Sequence, residues 1–469
     1  MTASAEMIAP PPAAFDLEVE TLIIGAGACG MVAALAAAEA GREVLVIEAD
    51  AVPSGSTALS AGLIPAAGTR MQAAAGIVDD AALFAADIQA KAHGRNDQAL
   101  VDAMAAAAGP AIDWLADRYD LPFSVVTDFD YPGHSRRRMH GLPSRSGREL
   151  IDALRAAAER AGVDIICNRR ATTLFHEGGR IRGLAAARPD GGVETIGCAR
   201  LILACNGFGG NRALVGAHMP AIADALWFGH DGNRGEALGW GEALGAATRH
   251  LGAYQGHGNV AHPHGILITW AVIAEGGVQV NATGARFWDE SQGYSEAARM
   301  VLAQPGGIAW AVFDARIAGI ARQFADFKAA EAQGAVKTAD TVAGLAAATG
   351  LPEGALAATL AAIPAGGAVA GSAAGPAGGT DRFGRRFGPV PLAAPYCAVR
   401  VTGALFHTQG GLAVDGRARV LGTDGAPFAN LWAAGGAAVG VSGVSDDGYL
   451  SGNGLLGAVA LGRAAGQGG

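Results

Sequence analysis

Gly25, Gly27 and Gly30, in the run Gly-Ala-Gly-Ala-Cys-Gly, and Glu48, 18 positions beyond the last of them, are the residues whose types and spacing point most directly to a chemistry. A glycine at the first position permits a tight turn. One at the second lets a pyrophosphate approach the backbone, and one at the third lets a helix pack closely on a strand. The helix start that follows offers free N–H groups and a partial positive charge to phosphates. A carboxylate at Glu48 accepts hydrogen bonds from both hydroxyls of a ribose and repels a 2′-phosphate. The set is expected to hold an ADP moiety, with Ala28 and Ala49 as neighbouring contacts.

That spacing works only between particular elements. Leu22 to Ile24 is expected as a strand, followed by an Ala-rich helix stopping at Gly41 and a second strand ending on Glu48. Ser54 to Thr69 is a loop of small residues able to wrap a flat ring. Helical spacing recurs over Ala81 to His93, Gln98 to Tyr119 and Arg148 to Ala161, and Val163 to Cys167 is expected as a strand. Arg180 to Ala187 and Glu194 to Ile196 form a predicted hairpin, and a buried strand, Arg200 to Ala204, runs into Cys-Asn-Gly-Phe-Gly-Gly-Asn. From about Tyr254 the texture changes to His, Gly and aromatic residues, with a helical stretch at Thr341 to Ala362 and a Gly/Ala/Pro linker from Pro364 to Thr380. The final helix is expected over Asn453 to Ala465, its start a second dipole aimed at the same ligand. The division expected is a flexible leader (1–16), a nucleotide-binding domain in two parts (17–253 and 401–469) and an inserted cap (254–400).

Bulk properties narrow the class. The 469 residues are 51% hydrophobic and 16% charged with 71 glycines, which suits a tightly packed enzyme, and the net charge of −9 speaks against a nucleic-acid partner. No apolar run is expected to reach the roughly 18 residues of a membrane span, because Gly, Glu, Arg or Asp interrupts each. The start lacks a signal-peptide pattern, so a cytoplasmic location is expected. Five cysteines without CxxC spacing indicate no disulfide framework, Cys29 and Cys205 being small buried hydrophobes. His257, His262 and His264 lack companions for a ligand set, so no metal is expected. Arg136, Arg137 and Arg138 with His134 and His140 are expected as a solvated basic loop.

Assembled in order, Gly25 to Gly30, Ser54 to Gly62, Leu201 to Asn211, Asn281 to Glu290, His407 to Gly411, Leu431 to Gly436 and Gly454 to Gly466 resemble the flavoprotein family of fumarate reductase, the succinate dehydrogenase flavoprotein subunit and the 3-ketosteroid dehydrogenases. The resemblance implies an α/β fold: a Rossmann-like FAD-binding domain of the glutathione reductase type with an inserted α+β cap. It implies FAD as cofactor, with Glu48 at the ribose, Gly25 to Gly30 at the pyrophosphate, and Ser56, Thr57, Ser60, Ala61 and Gly62 near the ring. Further contacts are implied at Ala171, Ala204, Gly207, Asn211 and Gly435, with backbone amides of Asn453, Gly454, Leu455 and Leu456 serving the reduced ring. Relatives with covalent flavin carry histidine where Ser56 sits, so noncovalent FAD is expected. A glutamate usual after Leu-Trp-Ala-Ala-Gly is replaced by Gly436.

Two arginines of the fumarate reductases, a proton donor and a carboxylate clamp, fall on Tyr294 and Tyr449. Tyrosines do not supply the bidentate charge a dicarboxylate needs. Tyr449-Leu450-Ser451-Gly452 is instead similar to a segment of the Δ4-type 3-ketosteroid dehydrogenases. The chemistry implied is dehydrogenation of a CH–CH bond beside a ketone, or the reverse. Tyr449, Ser451 or Gly452 polarises the carbonyl, a tyrosine moves the α proton, His407 faces the substrate, and hydride passes to flavin N5. Which tyrosine is base and which is donor stays open, as do direction, substrate and oligomeric state. The partners expected are a small molecule and a separate electron donor or acceptor. The alternatives are a reductase of unsaturated carboxylic acids and a flavin-binding protein without turnover.

Overall fold

The computed structural model describes residues 7–127, 131–364, 380–388 and 390–468. The linker expected over 364–380 therefore lies almost wholly outside the described residues. The chain divides into two units: 1–218, 229–254 and 407–469 form the first, and 219–228 with 255–406 the second. The short piece 219–228 joins the second unit because Leu226–Trp227 pairs in parallel with Ala404 and Leu405.

The first unit is built on a nine-stranded sheet. At its centre the parallel strands Leu17–Ile24, Val44–Ile47 and Val193–Leu203 are nearly continuous runs of β-branched and leucine residues at the ends that matter, as strands buried on both faces must be. The helix Ala28–Glu39 is buried from Ala28 through Ala37, its alanines and Gly30 letting neighbours approach closely while Met31, Val32 and Leu35 fill the core. Val193–Leu203 merges what the sequence suggested as two strands. Its first half pairs antiparallel with Arg180–Ala187 and its second half pairs in parallel with Leu17–Ile24.

Two expectations are corrected. Part of the leader is ordered: Ile8–Ala9 pairs in parallel with Leu174 and Phe175, and Phe15 lies 5.8 Å from the Phe175 ring. Hydrogen bonds to the sheet edge hold it there. The helix Gln98–Tyr119 is long and apolar enough to cross a membrane, although about half of its most apolar stretch is buried inside the protein. Its charged residues are too sparse to disqualify it by composition, and its face bearing Leu100, Met104, Ala108, Ile112 and Leu115 is buried in the protein.

The second unit carries a seven-stranded sheet, centred on the strand Tyr396–Thr408, which pairs antiparallel with Ile308–Asp314 and Val336–Ala339. Phe313, Phe327, Ile317, Val399 and Val401 form its buried core. The expected helical stretch at 341–362 is two helices, Val342–Thr349 and Glu353–Ala361, because Gly350 turns left-handed at φ 75° and Pro352 follows.

Candidate functional site

At the end of the central strand Gly25 has φ 104°, and a Cβ there would lie 2.5 Å from the Ala204 carbonyl oxygen. At Gly30 a Cβ would lie 1.8 Å from the Gly25 carbonyl oxygen, so the helix can approach the turn only without a side chain. Gly27 differs: its Cβ would meet only Thr57 Oγ1, at 3.5 Å, and the open space is the cradle a diphosphate requires. Glu48 is 9% exposed, with one carboxylate oxygen accepting from Ala26 N at 2.8 Å and the other from Asp50 N at 2.9 Å. Each oxygen keeps a lone pair for a further donor. Ala49 is half-buried, and Ala171 is buried in the strand Arg170–Glu177.

The small-residue loop is fastened to this turn. Thr57 Oγ1 accepts from Ala28 N at 3.0 Å, Ser60 Oγ donates to the Thr57 carbonyl at 2.7 Å, and Gly62, at φ 64°, donates to Ser60 Oγ at 3.1 Å. Ala61 is exposed. Ser56 Oγ accepts from Asn206 Nδ2 at 2.8 Å and from Asn233 Nδ2 at 3.1 Å. Neither asparagine stood out in the sequence. Asn206 carries a signal in retrospect, since it sits at φ 68° in a glycine-rich run, where Asn is the usual non-glycine choice. At Gly207 a Cβ would lie 2.0 Å from Thr408 Oγ1, and at Gly436 one would lie 2.5 Å from Asn206 Oδ1. The missing family glutamate thus has no room. Gly435 has φ 58° and faces Cys29, whose thiol burial pushes up to about 12. Asn211 is committed locally: its Oδ1 accepts from Ala213 N and Leu214 N, and its Nδ2 donates to the Arg234 carbonyl.

The terminal helix, Asn453–Gln467, begins after Gly452 at φ 90°. His407 and Tyr449 meet edge-on at this start, with ring centroids 5.5 Å apart at 71°. Burial holds the His407 imidazole down to about 4 and pushes the Tyr449 phenol up, against the opposing pull of the Gly454 and Gly452 backbone amides. Both groups are neutral across the physiological range. Gly454 exists to admit the histidine: a Cβ would lie 2.9 Å from His407 Nε2. Leu456 is buried and Leu455 half-buried in the same turn. Ser451 is 6% exposed, and its carbonyl oxygen lies 2.9 Å from His134 Nε2.

The basic cluster is only in part a solvated loop. Arg138 is 1% exposed and binds Asp79 through Nε at 3.0 Å and Nη2 at 2.9 Å, with Asp87 on Nη1, while His140 Nε2 lies 2.7 Å from Thr69 Oγ1. Two aspartates well separated in sequence neutralise the arginine, which spacing alone did not reveal. Arg136 and Arg137 are exposed, as expected.

In the second unit, Tyr294 opens the helix Tyr294–Leu302 and stacks on His257, with centroids 5.1 Å apart at 20°. His257 stacks in turn on Phe406 at 5.6 Å, and Trp270 meets both His257 and Tyr294 edge-on. Burial lowers the His257 imidazole to about 3. Just before the helix, Glu290 accepts from Arg286 Nε at 3.0 Å and from Gln279 N at 3.0 Å, pairs with Arg385 at 3.1 Å, and shares Arg286 with Asp381. Arg286 is therefore spent on structure.

The first unit fits a flavin nucleotide on its own geometry: an open Gly27 cradle, a buried Glu48, and the buried acceptors Asn233 Oδ1 and Asn453 Oδ1, which have no hydrogen-bond partner among the described residues. The sequence matches the FAD binding domain family over residues 20–455. A probable fumarate reductase, Ifc3 of Shewanella frigidimarina (strain NCIMB 400), is 31% identical over 96% of this chain and 74% of its own length. The open conformation of a flavocytochrome c3 fumarate reductase superposes with TM-score 0.80 at 29% identity, covering 97% of this chain and 78% of that one. A 3-ketosteroid-Δ4-(5α)-dehydrogenase from Rhodococcus jostii RHA1, in complex with 4-androstene-3,17-dione, superposes with TM-score 0.76 at 25% identity over 97% of both chains.

Proposed function

Because this chain belongs to the FAD binding domain family, whose members similar to it are fumarate reductases and CH–CH dehydrogenases, we propose that it is an oxidoreductase acting on a CH–CH bond beside a carbonyl, with FAD held noncovalently. The observation that carries this reading is the buried, neutral His407–Tyr449 pair at the start of the terminal helix. Neutral donors in a dry setting suit a carbonyl oxygen, whereas a carboxylate calls for a fixed positive charge. The 4-androstene-3,17-dione held by the Rhodococcus relative carries a ketone beside a carbon-carbon double bond, the grouping such a reaction forms or consumes. Bound FAD supplies the hydride acceptor or donor.

Tyr449 acts as hydrogen-bond donor to the carbonyl, since burial that pushes a phenol up disfavours the tyrosinate a base requires. Tyr294 then moves the α proton, and Ser56, placed where covalent relatives carry histidine, leaves the flavin dissociable. Electrons pass to or from a separate carrier. The alternative reading, a reductase of unsaturated acids, is favoured by the 31% identity to a fumarate reductase. Steady-state turnover by the FAD-loaded enzyme of 3-ketosteroids and cyclic enones, against fumarate, separates the two. Turnover of the ketones alone is expected, and rapid fumarate reduction would overturn the assignment. Failure of every compound to change the flavin's redox state under anaerobic titration would instead favour a binding protein.

A further inference from the structure

His407 has two neutral forms, and the ring nitrogen that carries the proton decides whether its edge at the terminal helix donates or accepts. Its Nδ1 has two neighbours, Gln409 Nε2 at 3.2 Å and the Thr408 carbonyl oxygen at 3.3 Å. These require opposite protonation, so the orientation of the Gln409 amide decides. That amide is anchored from behind: Gln409 Oε1 accepts from Ser442 Oγ at 2.6 Å, and Ser442 Oγ accepts from Asn453 Nδ2 at 2.9 Å. Gln409, Ser442 and Asn453 are 6%, 1% and 2% exposed, so the chain of bonds is shielded from water. With its oxygen turned to Ser442, the amide presents only NH2 to the imidazole, and NH2 only donates.

We propose that Gln409 is a positioning residue that fixes His407 with Nδ1 as acceptor and Nε2–H as donor, so that His407 selects a hydrogen-bond acceptor, a carbonyl oxygen, on the substrate. The selection step rests on His407 facing the substrate, as in the proposed function. The tautomer does not. Nε2 is the edge at Gly454, where a Cβ would come within 2.9 Å, so the donated proton is directed to the start of the terminal helix.

The test is histidine-selective 15N NMR of the FAD-loaded protein, with His407→Asn assigning the signal. The protonated nitrogen is expected to be Nε2 throughout pH 6 to 8, and a proton on Nδ1 would overturn the proposal. In Gln409→Glu the carboxylate accepts from Nδ1–H, which is expected to move the proton to Nδ1 and to raise the acid limb of kcat by about one pH unit or more. Unchanged shifts and an unchanged limb would overturn it. Should that variant not fold, Ser442→Ala decides: loss of the anchoring bond is expected to introduce the Nδ1–H form, and an identical spectrum counts against the proposal. Since the spectrum needs no substrate, inactivity on ketones would remove the substrate reading while leaving the tautomer result standing.

Discussion

Around Gly25 and Gly30 in the first unit the critical contacts are backbone on backbone, with no side chain at either position. Around Tyr294 in the second unit they are rings on rings: Tyr294 on His257, His257 on Phe406, and Trp270 across the edges. The first arrangement tolerates no added atom, because the obstruction is main chain. The second keeps its packing when a ring loses a polar atom, so its chemistry can be altered without its structure. The glycine turn is therefore rigidly encoded, whereas the proposed reactivity rests on single hydroxyl and imidazole groups.

The harshest way to break this contrast is Gly30→Ala. Its Cβ would lie 1.8 Å from the Gly25 carbonyl oxygen, and a cost of about 3 kcal/mol or more is expected from the forced backbone shift. Purified protein should lose most of its flavin absorbance and melt at lower temperature, while a fully flavinated, equally stable variant would contradict the close-packing account. Tyr294→Phe preserves the stacked ring, so flavin content and melting temperature should hold while kcat falls roughly 10²- to 10⁴-fold. A drop under threefold would exclude Tyr294 from proton transfer.

Glu48→Gln probes the cofactor side at lower cost. Loss of charge-assisted hydrogen bonds of about 1.5–3 kcal/mol should weaken FAD roughly 10- to 100-fold, measured by equilibrium dialysis, with little change in kcat at saturating FAD. Acid stability offers a gentler comparison. His134, His140 and His407 are held down to about 4 and His257 to about 3, all by burial first. Their folded values lie below the unfolded 6.5, so the unfolded chain binds protons the folded chain excludes. The contribution of these histidines should be flat above pH 6.5, and stability should decline as pH falls from there toward 4, each group adding at most about 1.4 kcal/mol per pH unit. Denaturant melts across that window should show a shallower slope for His257→Phe, and an unchanged slope would mean the ring titrates in the fold. The smallest effect belongs to Asn211→Ala, which removes a helix cap worth about 1 kcal/mol and should leave FAD affinity alone.

Much of the first unit was legible in the sequence because its constraints are local. A tight turn needs glycine at 25, a close helix needs glycine at 30, and a strand-helix-strand unit places Glu48 by chain length alone. The buried alanines of Ala28–Glu39 and the terminal helix from Asn453 follow from the same short-range patterns. Nothing local announced that Asn206 and Asn233 both reach Ser56, that Asp79 and Asp87 neutralise Arg138, or that Gln409 is turned by Ser442 and Asn453. These contacts join residues 11 to 177 positions apart. A side chain's protonation, tautomer and partner depend on which groups burial places beside it, and burial is a property of the packed chain. The amino-acid order alone thus determined the strand, glycine turn and helix start that fit a nucleotide, and only the tertiary structure decided which polar groups are spent on holding the fold.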